Sequence, residues 1–210
     1  MARIGINGFG RMGRLGLRAG FDHPALEIVQ INETACDAAG SAHLLTFDSV
    51  HGIWDIPVAA PDAHTLRIAE REIRYSSHEE IDACNWSGCD VVIEATGAHR
   101  SVDMLERYRA QGVKKVVVAA PVDGALNVVV GVNEHQYSPA DHHFVTAASC
   151  TTNCLAPVVK VLHESIGIRH GMITTIHDVT NTQTVVDKGH KDLRRARANG
   201  QSLIPTSTGS

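Results

Sequence analysis

Apolar residues fall in short, nearly unbroken runs set between amphipathic stretches, and the runs order the elements. Arg3–Asn7 (RIGIN) predicts a strand and Arg14–Ala19 (RLGLRA) a helix. Glu27–Ile31 (EIVQI) reads as a second strand and Ser41–Phe47 (SAHLLTF) as a second helix, with a turn at Asp48–Gly52. Thr65–Ala69 and Glu72–Ser76 alternate polar and apolar residues on either side of Glu70-Arg71, the pattern of a hairpin with a two-residue turn. Asp90–Ala95 (DVVIEA) is a nearly continuous apolar run, and Lys114–Ala120 (KKVVVAA), Asn127–Val132 (NVVVGV) and Phe144–Ala148 (FVTAA) are further short strands rich in Val and Ala. Strands of a parallel sheet covered on both faces read this way. Ser101–Gln111 predicts a helix capped by Ser101, and Leu155–His163 a further helix. Met172–Thr175, extended by Ile176-His177, predicts a strand.

Strand and helix alternate without internal repeat, so the fold class is α/β, with a doubly wound parallel sheet over residues 1–148. A second unit begins at Ser149 and runs to residue 210. No linker-like composition marks the boundary, so the two parts are expected to share a tight cleft.

Composition narrows the function. Hydrophobic residues make up 43% of the chain, enough for an ordinary core. A net charge of −4 points to neither a nucleic-acid nor a membrane partner. The five Cys are odd in number and form no CxxC, and the 13 His lack metal-ligand spacing. Neither a disulfide framework nor a metal site is expected, and a reducing, cytoplasmic setting is. The N-terminus has no signal-peptide apolar region, and no apolar run approaches the length of a bilayer span.

Two stretches carry candidate chemistry. Gly8-Phe9-Gly10-Arg11-Met12-Gly13 is a GxGxxG turn between a strand and a helix, the context in which backbone N–H groups approach a pyrophosphate. Glu33 ends the second strand, 20 residues past Gly13. There a carboxylate accepts from the free 2′-OH of NAD and repels the 2′-phosphate of NADP; an ordinary loop acid is the alternative. Thr96-Gly97 turns at a strand's carboxyl end, where ligands of open α/β sheets sit.

The second stretch is Ala148-Ser149-Cys150-Thr151-Thr152-Asn153-Cys154. Cys150 falls at a strand-to-helix switch with Ser149 as N-cap, a position that favours a thiolate. The alternative is a small buried hydrophobe. His177 is the candidate base, against a structural histidine. Lys191–Arg197 is a basic cluster, either a solvated face or an anion-binding edge. Pro205–Ser210 is rich in hydroxyls, suited to phosphate or to a polar turn.

INGFGRMGR, FDSVHG, EATG, AAP with VVVGVNEHQY, ASCTTNCLAP, TTIHDVTNTQ and DLRRARANGQSLIPTSTG occur in order. With them the whole chain resembles the glyceraldehyde-3-phosphate dehydrogenase family. The resemblance implies a Rossmann domain followed by the beginning of an α+β catalytic domain, with NAD as cofactor. It makes Cys150 the nucleophile and His177 its activator. Gly8, Gly10, Arg11 and Met12 would meet the cofactor pyrophosphate, Glu33 the adenosine ribose, and Thr96, Gly97 and Ala119 would line the groove. Ser149, Thr151, Thr180, Arg195, Thr208 and Gly209 would hold the phosphate of glyceraldehyde 3-phosphate and the incoming anion. That anion is inorganic phosphate or arsenate, since several segments look like the subgroup associated with arsenic resistance. Erythrose-4-phosphate dehydrogenase and a catalytically incompetent NAD-binding fragment are the alternatives.

The family pattern departs in places. Glu33 stands where Asp is usual, Ala119 replaces a common Ser, and the segment around Ser77 and His78 lacks the usual basic residue. Family members are usually homotetramers whose chains continue past Gly209. On that resemblance the 210 residues are expected to be a truncated chain, poorly stable or weakly active alone, with apolar surface and strand edges exposed.

Overall fold

A computed structural model describes residues 1–208. The chain divides into two compact units, Met1–Ala148 and Ser149–Ser210.

In the first unit, β1 (Ala2–Asn7) runs through the glycine turn into α1 (Arg11–Gly20), and β2 (Leu26–Asn32) is followed by α2 (Ala38–Thr46). β3 (Phe47–Asp48) and β4 (Gly52–Ile53) form a small hairpin over the predicted turn. β5 (Val58–Asp62), β6 (Thr65–Ile68) and β7 (Arg71–Ser76) follow as a meander, then β8 (Val91–Glu94), α3 (Val102–Ala110), β9 (Lys115–Val118), β10 (Leu126–Asn127) and β11 (Phe144–Thr146). The described sheet runs β10-β11-β9-β8-β1-β2-β7-β6-β5. It is parallel from β10 to β7 and antiparallel across β7, β6 and β5. This is the mixed α/β architecture that the strand–helix alternation predicts. The order reverses at β1, which pairs with β2 on one side and β8 on the other, so the switch-point crevice opens at the carboxyl ends of β1 and β8.

Side chains alternate between the two faces. Ile6, Ile31 and Ile73 join Leu17 of α1 and Leu45 of α2 in one core. Val92, Val116 and Val118 join Leu105 and Tyr108 of α3, with Trp86, in the other. Caps behave as the sequence suggests: the Ser101 Oγ accepts from Met104 N at the start of α3.

Three predictions shift. The β6–β7 turn is Ala69-Glu70, because Ile68 pairs with Arg71. Both registers place Leu66, Ile68, Ile73 and Tyr75 on one face, so alternation does not separate them. The observed one lets Ala69 take φ 49° and donate its N–H to Pro57 O at 2.8 Å. The predicted strand 127–132 is paired only over Leu126–Asn127. Beyond, Asn133 closes the chain on itself: its Oδ1 accepts from Val129 N and its Nδ2 donates to Asn127 O.

In the second unit, α4 (Cys150–Ile166) is the one α-helix among the described residues. The predicted strand at 172–177 does not form. A strand is held by a neighbour's backbone groups, and none of the described strands pairs with this stretch. Its apolar residues stand in solvent, with Met172 94% and Ile176 77% exposed. No described helix is long and apolar enough to cross a membrane.

Candidate functional site

The glycine turn of the first unit is built by contact. Gly8 takes φ +88°, and a Cβ there would lie 2.5 Å from Thr96 N. A Cβ on Gly13 would lie 2.2 Å from Gly8 O. Gly10 differs: no heavy atom lies within 4 Å of its Cβ position. Gly10 is also the N-cap of α1 and brings no side-chain acceptor to the first turn. The space over Gly10, at the positive end of the α1 dipole, is thus open, which suits an oxyanion. Met12, 57% exposed, sits on the same turn.

The two charged candidates here are engaged within the protein. Glu33 Oε2 accepts from Phe9 N at 2.6 Å, and Oε1 from Ala35 N at 2.7 Å. The carboxylate expected at a ribose therefore also braces the glycine turn, and its remaining lone pairs are what it can offer a hydroxyl. Arg11 pairs with Asp48 at 3.0 Å, so its guanidinium is turned to that carboxylate and its backbone N–H is its contribution to the helix start. Asp48 is held at about 2, first by the backbone N–H groups of His51 and Val50 and then by Arg11.

Thr96 and Gly97 are exposed just past β8, and Ala119 N binds Glu94 O at 2.9 Å. Beneath them lies a polar cluster that sequence reasoning missed. Glu94, 1% exposed, accepts from Thr96 N (2.8 Å) and Thr96 Oγ1 (2.5 Å) on Oε1. Its Oε2 accepts from Tyr108 OH (2.5 Å) and Asn7 Nδ2 (3.3 Å). Asn32 Nδ2 donates to Asn7 Oδ1 at 2.8 Å. The available signal was that β1, β2 and β8 each end in a polar residue after an apolar run.

In the second unit, Ser149 caps α4 by accepting from Thr152 N at 3.0 Å. Cys150 is the first residue of that helix and is exposed, as is Cys154. Burial pushes the Cys84 thiol up and the Cys89 thiol up to about 11. A cavity of about 550 Å³ brings together Thr151, His177 and Thr208, with Asp178 and Gln183 also on its wall. Cys150, Ser149, Thr180 and Arg195 are not on that wall. Ser149 Oγ lies 3.4 Å from Thr208 Oγ1, and Thr180 is tied to Gln183 Oε1 through both its N–H and its hydroxyl. His177 Nδ1 meets Asp178 O at 2.6 Å. A carbonyl only accepts, so Nδ1 carries the proton and Nε2 of the neutral ring keeps the basic lone pair.

In the basic cluster, Arg194 pairs with Asp192 and Arg197 with Asp187. Arg195 Nε is buried without a hydrogen-bond partner among the described residues, a donor suited to an anion. Gly209 lies outside the described residues.

Residues 2–102 match the family model for the glyceraldehyde 3-phosphate dehydrogenase NAD binding domain, and residues 149–210 the one for the C-terminal domain of that enzyme. The chain belongs to the glyceraldehyde-3-phosphate dehydrogenase family. Glyceraldehyde-3-phosphate dehydrogenase 3 of Nostoc sp. is 58% identical over 99% of this chain and 62% of its own length. Glyceraldehyde-3-phosphate dehydrogenase 1 of Bacillus cereus is 46% identical over 100% of this chain and 63% of its own. The Geobacillus stearothermophilus relative is 44% identical over 99% and 62%. The chain thus spans less than two thirds of the length of these relatives. The NAD-binding model covers the glycine turn, Glu33, Thr96 and Gly97, and the C-terminal model covers Cys150 and His177.

Proposed function

We propose that this chain serves the NAD-dependent oxidation of glyceraldehyde 3-phosphate to an acyl phosphate or its arsenate analogue, with Cys150 as nucleophile and His177 as base. The observation that carries the reading is the Ser149-capped start of α4, which leaves Cys150 exposed beside the cavity residue Thr151. Residues 149–210 are read as the beginning of the catalytic domain.

The residues present fit NAD. The open space over Gly10, the uncapped first turn of α1 and the close packing of Gly8 and Gly13 suit a pyrophosphate held by backbone N–H groups, those of Arg11 and Met12 included. Glu33 would take the adenosine ribose, and Thr96, Gly97 and Ala119 would line the remaining groove. When bound, the cofactor supplies a hydride acceptor.

The chain's own residues do the rest. The Cys150 sulfur adds to the aldehyde carbon, and the thiol's proton passes to the carbonyl oxygen, giving a hemithioacetal hydroxyl. Nε2 of His177 takes that hydroxyl proton as the carbon is oxidised, leaving a thioester. An oxygen of the incoming oxyanion attacks the thioester carbon, and the thiolate departs. Ser149, Thr151, Thr180, Arg195, Thr208 and Gly209 hold the substrate phosphate and this second anion through hydroxyl, backbone N–H and guanidinium donors. Phosphate and arsenate have nearly the same size and charge, so both are acceptors for such a site. Assembly as a homotetramer in the cytoplasm belongs to the same proposal.

The test follows NADH formation with glyceraldehyde 3-phosphate or erythrose 4-phosphate, in phosphate or arsenate. Turnover with glyceraldehyde 3-phosphate, abolished in Cys150→Ser, is expected. Faster turnover of erythrose 4-phosphate reassigns the substrate. Binding of NAD+ without turnover under any anion overturns the enzymatic reading.

A further inference from the structure

We propose that Glu94 is a positioning residue for the dinucleotide: a buried carboxylate that presets the Thr96-Gly97 turn and, through it, the glycine turn at Gly8. The inference rests on the NAD reading above and concerns how that site is held in shape.

A carboxylate shielded from water is costly unless its oxygens are fully hydrogen-bonded, and apolar residues of similar volume often serve a core as well or better. Glu94 has no cation among its described partners. Its four hydrogen bonds instead divide by purpose. One oxygen takes both local donors of Thr96, the N–H and the hydroxyl. With its proton committed to Glu94, Thr96 Oγ1 is left to accept from Ala98 N at 3.0 Å. Arg100 Nε then donates to Gly97 O at 2.8 Å. The loop after β8 is thereby set residue by residue, outward from Glu94.

The other oxygen anchors the carboxylate. Tyr108 reaches it from α3 and Asn7 from β1, while Asn7 Nδ2 also lies 2.6 Å from Tyr108 OH. Asn32 fixes Asn7, and Asn32 is itself tied to the segment after β7 by bonds with His78 O and His78 N. The chain of bonds crosses the carboxyl ends of β7, β2, β1 and β8, the edge at which the switch point opens. It couples to the glycine turn because Gly8 packs directly on the Thr96 backbone, with its Cβ position 2.5 Å from Thr96 N. A Thr96 that drifts moves one wall of the turn that is to receive the pyrophosphate. Glu33 is not among the hydrogen-bond partners of Glu94, so the adenosine end should feel the change less.

The experiment measures affinity of the 210-residue chain for NAD+ and for AMP by calorimetry, in wild type, Glu94→Gln and Tyr108→Phe. We expect about tenfold or greater loss of NAD+ affinity in Glu94→Gln and a smaller loss in Tyr108→Phe, as fits removal of hydrogen bonds to a charged group. AMP affinity should fall by a clearly smaller factor than NAD+ affinity, since AMP lacks the second phosphate and everything beyond it. A generally loosened fold would weaken both ligands alike, and that result overturns the proposal. So does wild-type NAD+ affinity in both folded variants. Amide hydrogen exchange on the wild-type chain without ligand covers variants that do not fold. Protection of Thr96 N–H supports a preset loop, and exchange at the rate of an open loop overturns it. A wild-type chain that binds no NAD+ overturns the functional reading and this inference together, whereas unaffected variants of a chain that binds NAD+ overturn this inference alone.

Discussion

Replacing Gly8 by alanine should strongly destabilise the first unit, whereas the same change at Gly10 should leave it standing and remove its ligand. At Gly8 the added methyl lies 2.5 Å from Thr96 N and 2.6 Å from the Ala95 carbonyl carbon, both backbone atoms with no rotamer to escape into. Forcing atoms into a packed core costs about 1–3 kcal/mol. Holding an alanine at φ +88° adds roughly 1–3 kcal/mol. The sum, about 2–6 kcal/mol, is a large part of the 5–15 kcal/mol or so that holds a typical domain. Gly10 has φ −67° and ψ −160°, open to any residue, and nothing within 4 Å of its Cβ position. There the stability change should stay under about 1 kcal/mol, while the methyl fills space reserved for the pyrophosphate. Trp54 and Trp86 both lie in the first unit, so urea unfolding followed by tryptophan fluorescence reads that unit alone. NAD+ titration supplies the second readout. A Gly8→Ala variant with the wild-type urea midpoint would refute the packing argument. A Gly10→Ala variant that binds NAD+ as tightly as wild type would refute the placement of the ligand.

Other expectations follow from the remaining geometry. Asp48 should titrate near 2: its folded value lies below the ordinary 3.8, so its contribution to stability is complete above 3.8 and fades as the pH falls toward 2. A carboxyl carbon NMR titration with a midpoint at the ordinary value contradicts this. Iodoacetamide should modify exposed Cys150 and Cys154 well before Cys84 and Cys89, whose thiols burial pushes up. Peptide mass mapping that finds Cys89 labelled as fast as Cys150 would count against it. Ser149→Ala should cost α4 about 1 kcal/mol and expose the Thr152 amide to exchange, since that N–H loses its acceptor. Unchanged protection at Thr152 would show that the cap is idle.

Local signals carried most of the first unit. The run from β1 through the glycine turn to α1 depends on a two-residue period, then a turn only glycine allows, then a helical period, all within a few neighbours. Ser101 and Ser149 were legible as caps for the same reason: a cap bonds two or three residues away. β5 was not legible. Its sequence, VAAPD, holds Pro61, which a strand accepts at the edge of a sheet, and nothing local says which strand is outermost. In the second unit, 172–177 alternates like a strand but lacks a described partner, and periodicity alone does not supply one.

The candidate site divides the same way. The residue types were readable: glycines for close approach, Glu33 at its spacing, Cys150 at a helix start, a later His177. Their engagements were not. That Glu33 braces Phe9, that Arg11 turns to Asp48, and that His177 holds its proton on Nδ1 depend on groups brought close by folding. The Glu94 cluster depends on four strands and α3 at once.

Sequence by itself therefore determined the strand–turn–helix run around the glycine turn and the Ser101 and Ser149 caps, because these arise from interactions a few residues long. Only tertiary structure decided the hairpin register, the edge strand and the partners of the buried polar groups. Those choices turn on which distant donor and acceptor meet once water is excluded, and no periodicity along a chain encodes that meeting.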